Sequence, residues 1–462
     1  MILVENMRCR ARPMSLRKTL KNLNLPATLS LKKLCYPCGQ NKREEEQDMD
    51  WMYPAALALT GTMGVLMGLW GLWYLLSGLA SVKKPMDYGF HPAQTRFAVL
   101  IAARNEELVI GSLINSLLTQ DYPADLYDIW VIPNNCADNT ALAAKNFGAK
   151  VLECTVPVKS KGEVLRFAYN RLRGRQYDAW LVFDADNVVD CRFLAEMNNA
   201  RLTGVQAAQG YRDSKNPYDT AVSGCSSIYY WMMDRFHNGG KAGLGVSAMI
   251  GGTGFMVTQK LLDKLGGWHT DTISEDLEIT AQTVLAGERV AYVPKAVTYD
   301  EQPLTWEQSF TQRRRWTSGT LQVAQTYLPA LGESQTKRPR LSLFDFETTL
   351  LLPAYQVAAL AGLLCTALTA ALGGRTLAQA LLLGIGGALG NVAWAALTAT
   401  VAAGVVITLE GKWDRRLWKG LAVYWLFLFT WLPITAVSFW KKTTVWEEIR
   451  HTRAMAPQMP GR

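Results

Sequence analysis

FAVLIAARNEELVIGSLINSLL, residues 97–118, decides the fold. Its first six residues are apolar without a break, as a strand buried on both faces requires. From Glu106 to Gln120 the apolar residues stand at Leu108, Ile110, Leu113, Ile114, Leu117 and Leu118. That is the spacing of one helical face. The same alternation continues downstream. A strand is predicted over 128–133, a helix over 138–147 with Asp138 as its N-cap, and a short strand over 151–154. A helix over 161–172 and a strand over 177–183, ending at Asp184, complete the series. Strands and helices in alternation predict a parallel sheet with helices on both faces. Ligands of such sheets bind beyond the carboxyl ends of the strands. No G-x-G-x-x-G opens the first helix and no Walker A sequence is present, which argues against a dinucleotide dehydrogenase or a P-loop ATPase.

Outward from this α/β core the composition changes. The 462-residue chain holds 48 Lys or Arg against 39 Asp or Glu, a net charge of +9, yet only 19% of it is charged and 49% is hydrophobic. A disordered or fibrous protein is excluded by that balance. Four stretches, 52–82, 348–374, 376–409 and 420–440, carry no charge at all. Each reaches the roughly 20 apolar residues that span a bilayer. One span is expected over 52–82 and about three over 348–442. Lys83 and Lys84 after the first stretch, and Lys337, Arg338 and Arg340 before the second, place 83–347 on the cytoplasmic side. Lys412, Arg415 and Arg416 place the loop after the third there too. Lys441, Lys442, Arg450 and Arg453 then follow the fourth on the side the same rule disfavours, so a re-entrant, interfacial or hairpin segment is the alternative for one of these. A domain over 83–318 is expected to pass into an interfacial region over 319–347, with a short amphipathic helix at Gly319–Leu331.

Residues 1–48 are rich in Lys and Arg and show no apolar period. They read as a start assigned too far upstream, with Glu44–Glu46 ahead of Met49 as a translated ribosome-binding sequence. A basic membrane-surface arm is the alternative. Cys35 and Cys38 have no second pair, which is weak ground for a metal or redox site. Cys136, Cys154, Cys191, Cys225 and Cys365 are scattered and the four histidines do not cluster, so a zinc site is not expected. The tail, 443–462, is too short for a regulatory domain.

The polar clusters fall where the sheet would present them. Asp184-Ala185-Asp186 follows a strand; two such carboxylates suit Mg²⁺ or Mn²⁺ shared with substrate phosphates, and are otherwise two loop acids. Ser274-Glu275-Asp276 precedes a helix over 277–285. Asp276 either caps that helix or takes a proton from an attacking hydroxyl. Gln312-Arg313-Arg314-Arg315-Trp316 sets three guanidinium forks, which grip phosphate oxygens in pairs, beside an indole face for a sugar. The run suits a diphosphate leaving group. Gly251-Gly252-Thr253-Gly254 lets backbone approach a ligand closely, and alone is only a turn. Asp300-Glu301-Gln302-Pro303 fits a loop near the site and receives no role.

In order and spacing, Asn105-Glu106, Lys161-Gly162, Asp184-Ala185-Asp186, Gly252-Thr253-Gly254, Ser274-Glu275-Asp276 and Gln312–Trp316 resemble the membrane-bound family 2 glycosyltransferases, the group of cellulose, chitin and hyaluronan synthases. The resemblance covers roughly 97–320, with membrane segments on both sides as the family has. It implies a GT-A fold, Rossmann-like and mostly parallel, flanked by transmembrane helices in a bacterial plasma membrane. It implies inverting transfer from UDP-glucose or UDP-N-acetylglucosamine to the growing end of a β-linked polysaccharide, coupled to export. A single-transfer enzyme making a glycolipid is the alternative, and a non-catalytic nucleotide-sugar sensor or transporter a third reading.

Residue by residue, the resemblance puts Ala103, Asn105, Glu106, Asn134 and Asp138 at the nucleotide, and Lys161 near the nucleotide or its diphosphate. It puts Asp184 and Asp186 on Mg²⁺ or Mn²⁺, Asp276 as general base, and Glu275 beside the acceptor. Gln312 and Arg315 would close over the diphosphate, with Gly252, Thr253, Gly254 and Trp316 at the acceptor. Asn134 departs from the family, which has an aspartate there; Asn brings no charge, and Asp138 is the candidate to take part of that role. The implied partners are a nucleotide-sugar, a polysaccharide or lipid-linked acceptor and the lipid bilayer, with no nucleic acid. Four spans are few for a polysaccharide channel, so a homo-oligomer, or a channel partly lined by interfacial helices, is the expected means of completing one.

Overall fold

A computed structural model describes residues 52–83, 86–372 and 376–441 of the protein. The extension 1–48 with its Cys35 and Cys38, and the tail 443–462, lie outside these residues. Helix α1 (Met52–Ala80) leads into β1 (Phe97–Ala103), α2 (Ile110–Leu118), β2 (Tyr127–Pro133), α3 (Thr140–Asn146), β3 (Lys150–Val151), α4 (Lys161–Leu172) and β4 (Ala179–Asp184). Every residue of β1 is buried, as its unbroken apolar run demands. Helix α2 begins later than the periodicity predicts. Asn105 takes a positive φ of 57°, and Glu106 O accepts from Val109 N and Ile110 N, so the chain turns before it coils. Strand β3 is shorter than predicted, although Leu152 N and Cys154 N still bond to Val131 O and Pro133 O.

The second half runs β5 (Val188–Val189), α5 (Phe193–Leu202), β6 (Ala207–Ser214), α6 (Ala221–Met232), β7 (Phe255–Thr258), α7 (Gln259–Leu265), α8 (Glu275–Leu285) and β8 (Val290–Asp300). One sheet holds all eight strands in the order β3-β2-β1-β4-β7-β6-β8-β5. β1 is parallel to β2 and β4, and β6 to β8; β7 is antiparallel to β4 and β6, and β5 to β8. The sheet is therefore mixed and mostly parallel. Both faces are covered: Leu100, Trp180 and Val182 point into one apolar layer, Val99, Leu181 and Phe183 into the other.

Helix α9 (Trp306–Lys337) is followed by α10 (Leu341–Leu350), α11 (Leu352–Leu372), α12 (Leu377–Leu409), α13 (Trp418–Phe429) and α14 (Trp431–Trp440). A reciprocal cap opens α9: Thr305 Oγ1 accepts from Gln308 N, and the Gln308 side chain returns to Thr305 N. Gly319–Leu331 is not a separate interfacial helix as predicted; it continues α9 without a break. Gly319 is what lets α9 press onto the loop ahead of α8, since a Cβ there would lie 1.9 Å from Ser274 Oγ.

Among the described residues, four helical segments are long and apolar enough to cross a membrane: Tyr53–Ala80, Leu352–Ala370, Leu381–Leu409 and Arg415–Trp440. The last is broken at Thr430, between α13 and α14. Pro433 explains the break, because it has no N–H to offer the carbonyl one turn before it. The basic loop between α12 and α13 lies against the sheet domain. Lys412 Nζ meets Asp213 Oδ2 at 2.5 Å, and Tyr211 Oη donates to Glu410 Oε2 at 2.9 Å. Ala403, Val406 and Ile407 of α12 and Tyr424 and Phe427 of α13 share one buried cluster with Cys225, Ile228 and Trp231 of α6.

At the crossing of α6 and α13 two glycines touch: a Cβ on Gly224 would lie 3.2 Å from Gly420 Cα. We expect Gly224→Leu to cost about 1–3 kcal/mol by overpacking, visible as a lower melting temperature in detergent. An unchanged melting temperature would show that the helices separate at no cost.

Candidate active site

Strand β4 delivers Asp184 to the carboxyl edge of the sheet, and the chain turns at once so that Asp186 follows it onto the wall of a cavity of about 640 Å³. Thr253 Oγ1 and Asn187 Oδ1 accept from Asp184 N at 3.0 and 3.1 Å, and Thr253 Oγ1 donates to Asn187 Oδ1. Thr253 is thus spent on fixing the turn. It and Gly254 lie behind the cavity wall, whereas Gly252 lines it. Gly252 has φ of 89°, and a Cβ on it would lie 3.3 Å from Asp276 Oδ2. The glycine therefore keeps open the space in front of that carboxylate.

Lys161, at the start of α4, sits among the acids. Its Nζ donates to Asp184 Oδ1 at 2.5 Å and to Gly252 O at 2.7 Å, and lies 3.5 Å from Glu275 Oε1. Burial works against the ammonium, but the charges of Asp184 and Glu275 outweigh it and hold its pKa above the ordinary lysine value. Burial also opposes the Asp184 carboxylate; the charge and hydrogen bond of Lys161 outweigh it and hold the group below its usual pKa. Glu275 and Asp276 open α8, where Leu277 N donates to Asp276 Oδ1 at 2.7 Å. Asp276 is thus not the cap, a position that falls to Ser274; it lies in the first turn of α8, bonds the N–H that follows it, and lines the cavity.

Burial pushes the Glu275 carboxyl up to about 7, with Lys161 working against it and Asp276 and Asp184 adding to it. Burial raises Asp276 too. A carboxyl that holds its proton more tightly when folded stabilises fully below its unfolded pKa and loses that contribution as pH rises through the folded one. For Glu275 the window runs from 4.5 to about 7. Asp184 runs the other way, losing its contribution only as pH falls below 3.8. Cation-free protein should thus melt at lower temperature as pH rises from about 5 to about 7, and Glu275→Gln should flatten that slope. A variant with the wild-type slope would clear Glu275 as its source.

At the other side of β1, Arg104 and Glu106 line the cavity; Ala103, Asn105, Asn134 and Asp138 stand behind them. Asn134 Oδ1 accepts from Arg104 Nε and Nη2 at 3.1 and 2.7 Å, and its Nδ2 donates to Ala103 O. Asn105 Oδ1 accepts from Ala137 N at 2.7 Å. Asp138 accepts from Thr140 N and Glu107 N at 3.1 Å each. Of the five residues the resemblance puts at the nucleotide, Glu106 lines the cavity; Asn134 is tied to Ala103 O and holds Arg104, which the sequence reading passed over, beside it on the wall.

Residues 92–319 match a family model described as glycosyltransferase-like family 2. These residues form a glycosyltransferase family 2 domain. It is 28% identical over 264 residues to the probable glycosyltransferase YdaM of Bacillus subtilis, covering 54% of this chain and 61% of that protein. It is 27% identical over 295 residues to the beta-monoglucosyldiacylglycerol synthase of Trichormus variabilis, covering 58% of this chain and 61% of the synthase. The chain thus spans about three fifths of these curated relatives. Among solved structures, the mannosyltransferase PcManGT of Pyrobaculum calidifontis, captured with GDP-Man and Mn²⁺, superposes with a TM-score of 0.53 at 19% identity, over 85% of this chain and 99% of that one. That likeness speaks for the fold.

The cavity is closed from the side of α9. Gln312, Arg315 and Trp316 line the cavity together with Gln308. Arg313 does not. It is 1% exposed, and its Nη1 donates to Phe427 O at 2.9 Å and to Thr430 Oγ1 at 2.8 Å. Its guanidinium lies 4.1 Å from the Phe427 ring centroid. Two residues apart on a helix are about 200° apart around its axis, so the arginine run divides: Arg315 faces the acids, and Arg313 holds the break in the last span. Trp316 stacks on Tyr229 and on Trp431, each at 6.3 Å between centroids.

Arg212 of β6 also reaches the cavity, its Nη2 2.5 Å from Asp300 Oδ2. Nothing in Gly210-Tyr211-Arg212-Asp213 marks it, because its partner lies on β8. Beyond these residues the cavity is walled by Tyr74 of α1, Leu352 and Pro353 of α11 and Trp431 of α14.

Among the described residues no group of three or more His, Cys, Asp or Glu is arranged to hold a metal. Asp184 and Asp186 nonetheless share the cavity wall. Two oxygen donors open to a substrate are what Mg²⁺ or Mn²⁺ needs when diphosphate oxygens complete its shell. The residues fit such an ion.

Proposed function

We propose that the protein transfers a sugar from a nucleotide-sugar to a hydroxyl of a lipid acceptor at the bilayer surface, with inversion, as a single transfer. One observation carries this reading: the cavity begins at Asp184, Asp186 and Asp276 and continues between apolar residues of the membrane helices, Tyr74, Leu352, Pro353, Leu428 and Trp431. An amphiphile matches such a lining, polar head to the acids and chains to the spans. The relative that makes beta-monoglucosyldiacylglycerol supports the same class of acceptor.

Asp276 would take the proton of the attacking hydroxyl. Arg315 and Lys161 supply positive charge where the diphosphate departs, the kind of term that is commonly the largest in catalysis. A divalent cation held by Asp184 and Asp186 would neutralise that leaving group further. The membrane is that of a bacterial cell, with the sheet domain on the cytoplasmic side. The packing of Lys412 on Asp213 supports this orientation, since it draws the basic loop to the domain.

A second reading, extension of a β-linked polysaccharide from UDP-glucose or UDP-N-acetylglucosamine, draws on Gln312, Arg315 and Trp316, which stand together on the wall beside the aromatic ring of Tyr229. A donor screen separates the two. Purified protein with Mg²⁺ or Mn²⁺ receives radiolabelled UDP-glucose, UDP-N-acetylglucosamine or GDP-mannose in lipid nanodiscs. A small chloroform-soluble product is expected; labelled polymer of high mass would establish the second reading instead. No release of nucleoside diphosphate from any donor would sink both.

A further inference from the structure

Gln302 lies just past β8, in the loop that follows Asp300. It is 2% exposed and lines the cavity. Among the described residues neither Nε2 nor Oε1 of its side chain has a hydrogen-bond partner. Buried side-chain polar atoms are paired in the large majority of cases, so a carboxamide with both ends unpaired calls for a cause.

A loosely held loop is not the cause, because the backbone here is fixed. Gln302 N donates to Asn216 Oδ1 at 2.7 Å, and Gln302 O accepts from Asn216 Nδ2 at 3.0 Å, a two-point clamp by a side chain that is itself fully buried. Pro303 stiffens the next residue. On the other side Glu301 N donates to Asp186 Oδ2 at 3.4 Å, which sets Gln302 beside the acidic pair. Leu304, Gln308 and Gln312 line the same cavity. The carboxamide is thus held at a set position, dry and unpaired, on a residue of the cavity wall.

A carboxamide accepts at its oxygen and donates from its nitrogen. Two neighbouring hydroxyls of a polyol match that pair: one donates to Oε1 while the next oxygen accepts from Nε2. We propose that Gln302 is a specificity residue, whose side chain hydrogen-bonds a vicinal pair of hydroxyls on a sugar or on the polyol head of the acceptor. The inference rests on the transfer reading for what enters the cavity. A site built to bond a substrate hydroxyl discriminates strongly against a ligand that lacks it, because the buried polar group is then left bare.

The test uses the full chain in nanodiscs and compares wild type with Gln302→Leu, and with Gln302→Met as a second apolar replacement. Four affinities are titrated from tryptophan fluorescence: UDP, UDP-glucose, 1-monooleoylglycerol, whose head keeps two neighbouring hydroxyls, and cellobiose. Loss of at least about tenfold in the gain that glucose adds to UDP, with UDP itself unchanged, assigns the hydroxyls to the donor sugar. A similar loss for 1-monooleoylglycerol or cellobiose, with UDP-glucose unchanged, assigns them to the acceptor. Either result is expected to come with an equal or higher melting temperature, since an unpaired buried amide has been removed. Both variants within twofold of wild type for all four probes would overturn the proposal. Failure of wild type to transfer sugar from any donor would overturn the transfer reading alone, because these affinities are read without turnover.

Discussion

Asp276→Asn protein should bind nucleotide-sugar as wild type does and transfer its sugar about 10²–10⁴-fold more slowly, the usual contribution of a positioned general base. The geometry behind the expectation is specific. Asp276 Oδ1 is tied to Leu277 N, while Oδ2 is the atom that Gly252 leaves uncovered. An asparagine keeps the first contact and loses the basicity of the second, so the fold and the donor pocket are preserved. Gly252→Ala should give a related defect by filling the same space, and by forcing a side chain onto a backbone with φ of 89°. Single-turnover rates with preloaded donor separate chemistry from binding. Transfer by Asp276→Asn within a few-fold of wild type would move the base elsewhere, with Glu275 the next carboxylate on the same helix.

The second large effect is expected far from the acids. Lys241 Nζ lies 2.9 Å from Asp345 Oδ2, and the two side chains are 2% and 1% exposed. Asp345 Oδ1 accepts from Trp73 Nε1 at 3.1 Å, and Lys241 Nζ donates to Thr349 Oγ1 at 3.1 Å. One ion pair thus fastens α1, α10 and the helical turn after α6. Deleting one partner of a buried pair strands the other charge, at a cost of about 3–5 kcal/mol. Lys241→Met or Asp345→Leu alone should therefore lower the melting temperature sharply or prevent folding in the membrane. The double replacement should recover most of the loss, since an apolar pair of similar volume is often no worse than the ions. A double variant as unstable as either single one would show that the charges themselves are required.

Local order was readable in the residues. The run from Phe97 to Ala102 became β1, Lys161–Leu172 became α4 with those ends, and the two acids after Phe183 stand at the carboxyl edge of β4. Each depends on neighbours in the chain. What stayed hidden depends on partners distant in it. The antiparallel insertion of β7 between β4 and β6 leaves no mark in the four residues of β7. Thr253 looked like part of a ligand-binding turn, and its hydroxyl serves Asp184 N instead. Arg313 and Arg315 are chemically alike, and the resemblance singled out Arg315; what the residues did not say is that α9 turns Arg313 away, onto Phe427, while Arg315 lines the cavity. The motif order located the acids but not the wall that α1, α11 and α14 add to them.

The shared cluster of α6 with α12 and α13 decides what kind of object this enzyme is. Cys225, Ile228 and Trp231 are shielded in part by Ala403, Ile407, Tyr424 and Phe427, and Trp316 rests against Trp431. A fragment ending after α9 would turn those surfaces to water and take Leu352, Leu428 and Trp431 away from the cavity. The part that carries the chemistry is therefore not a water-soluble enzyme on a tether. Truncation after α9 would remove one wall of the cavity along with the apolar helices.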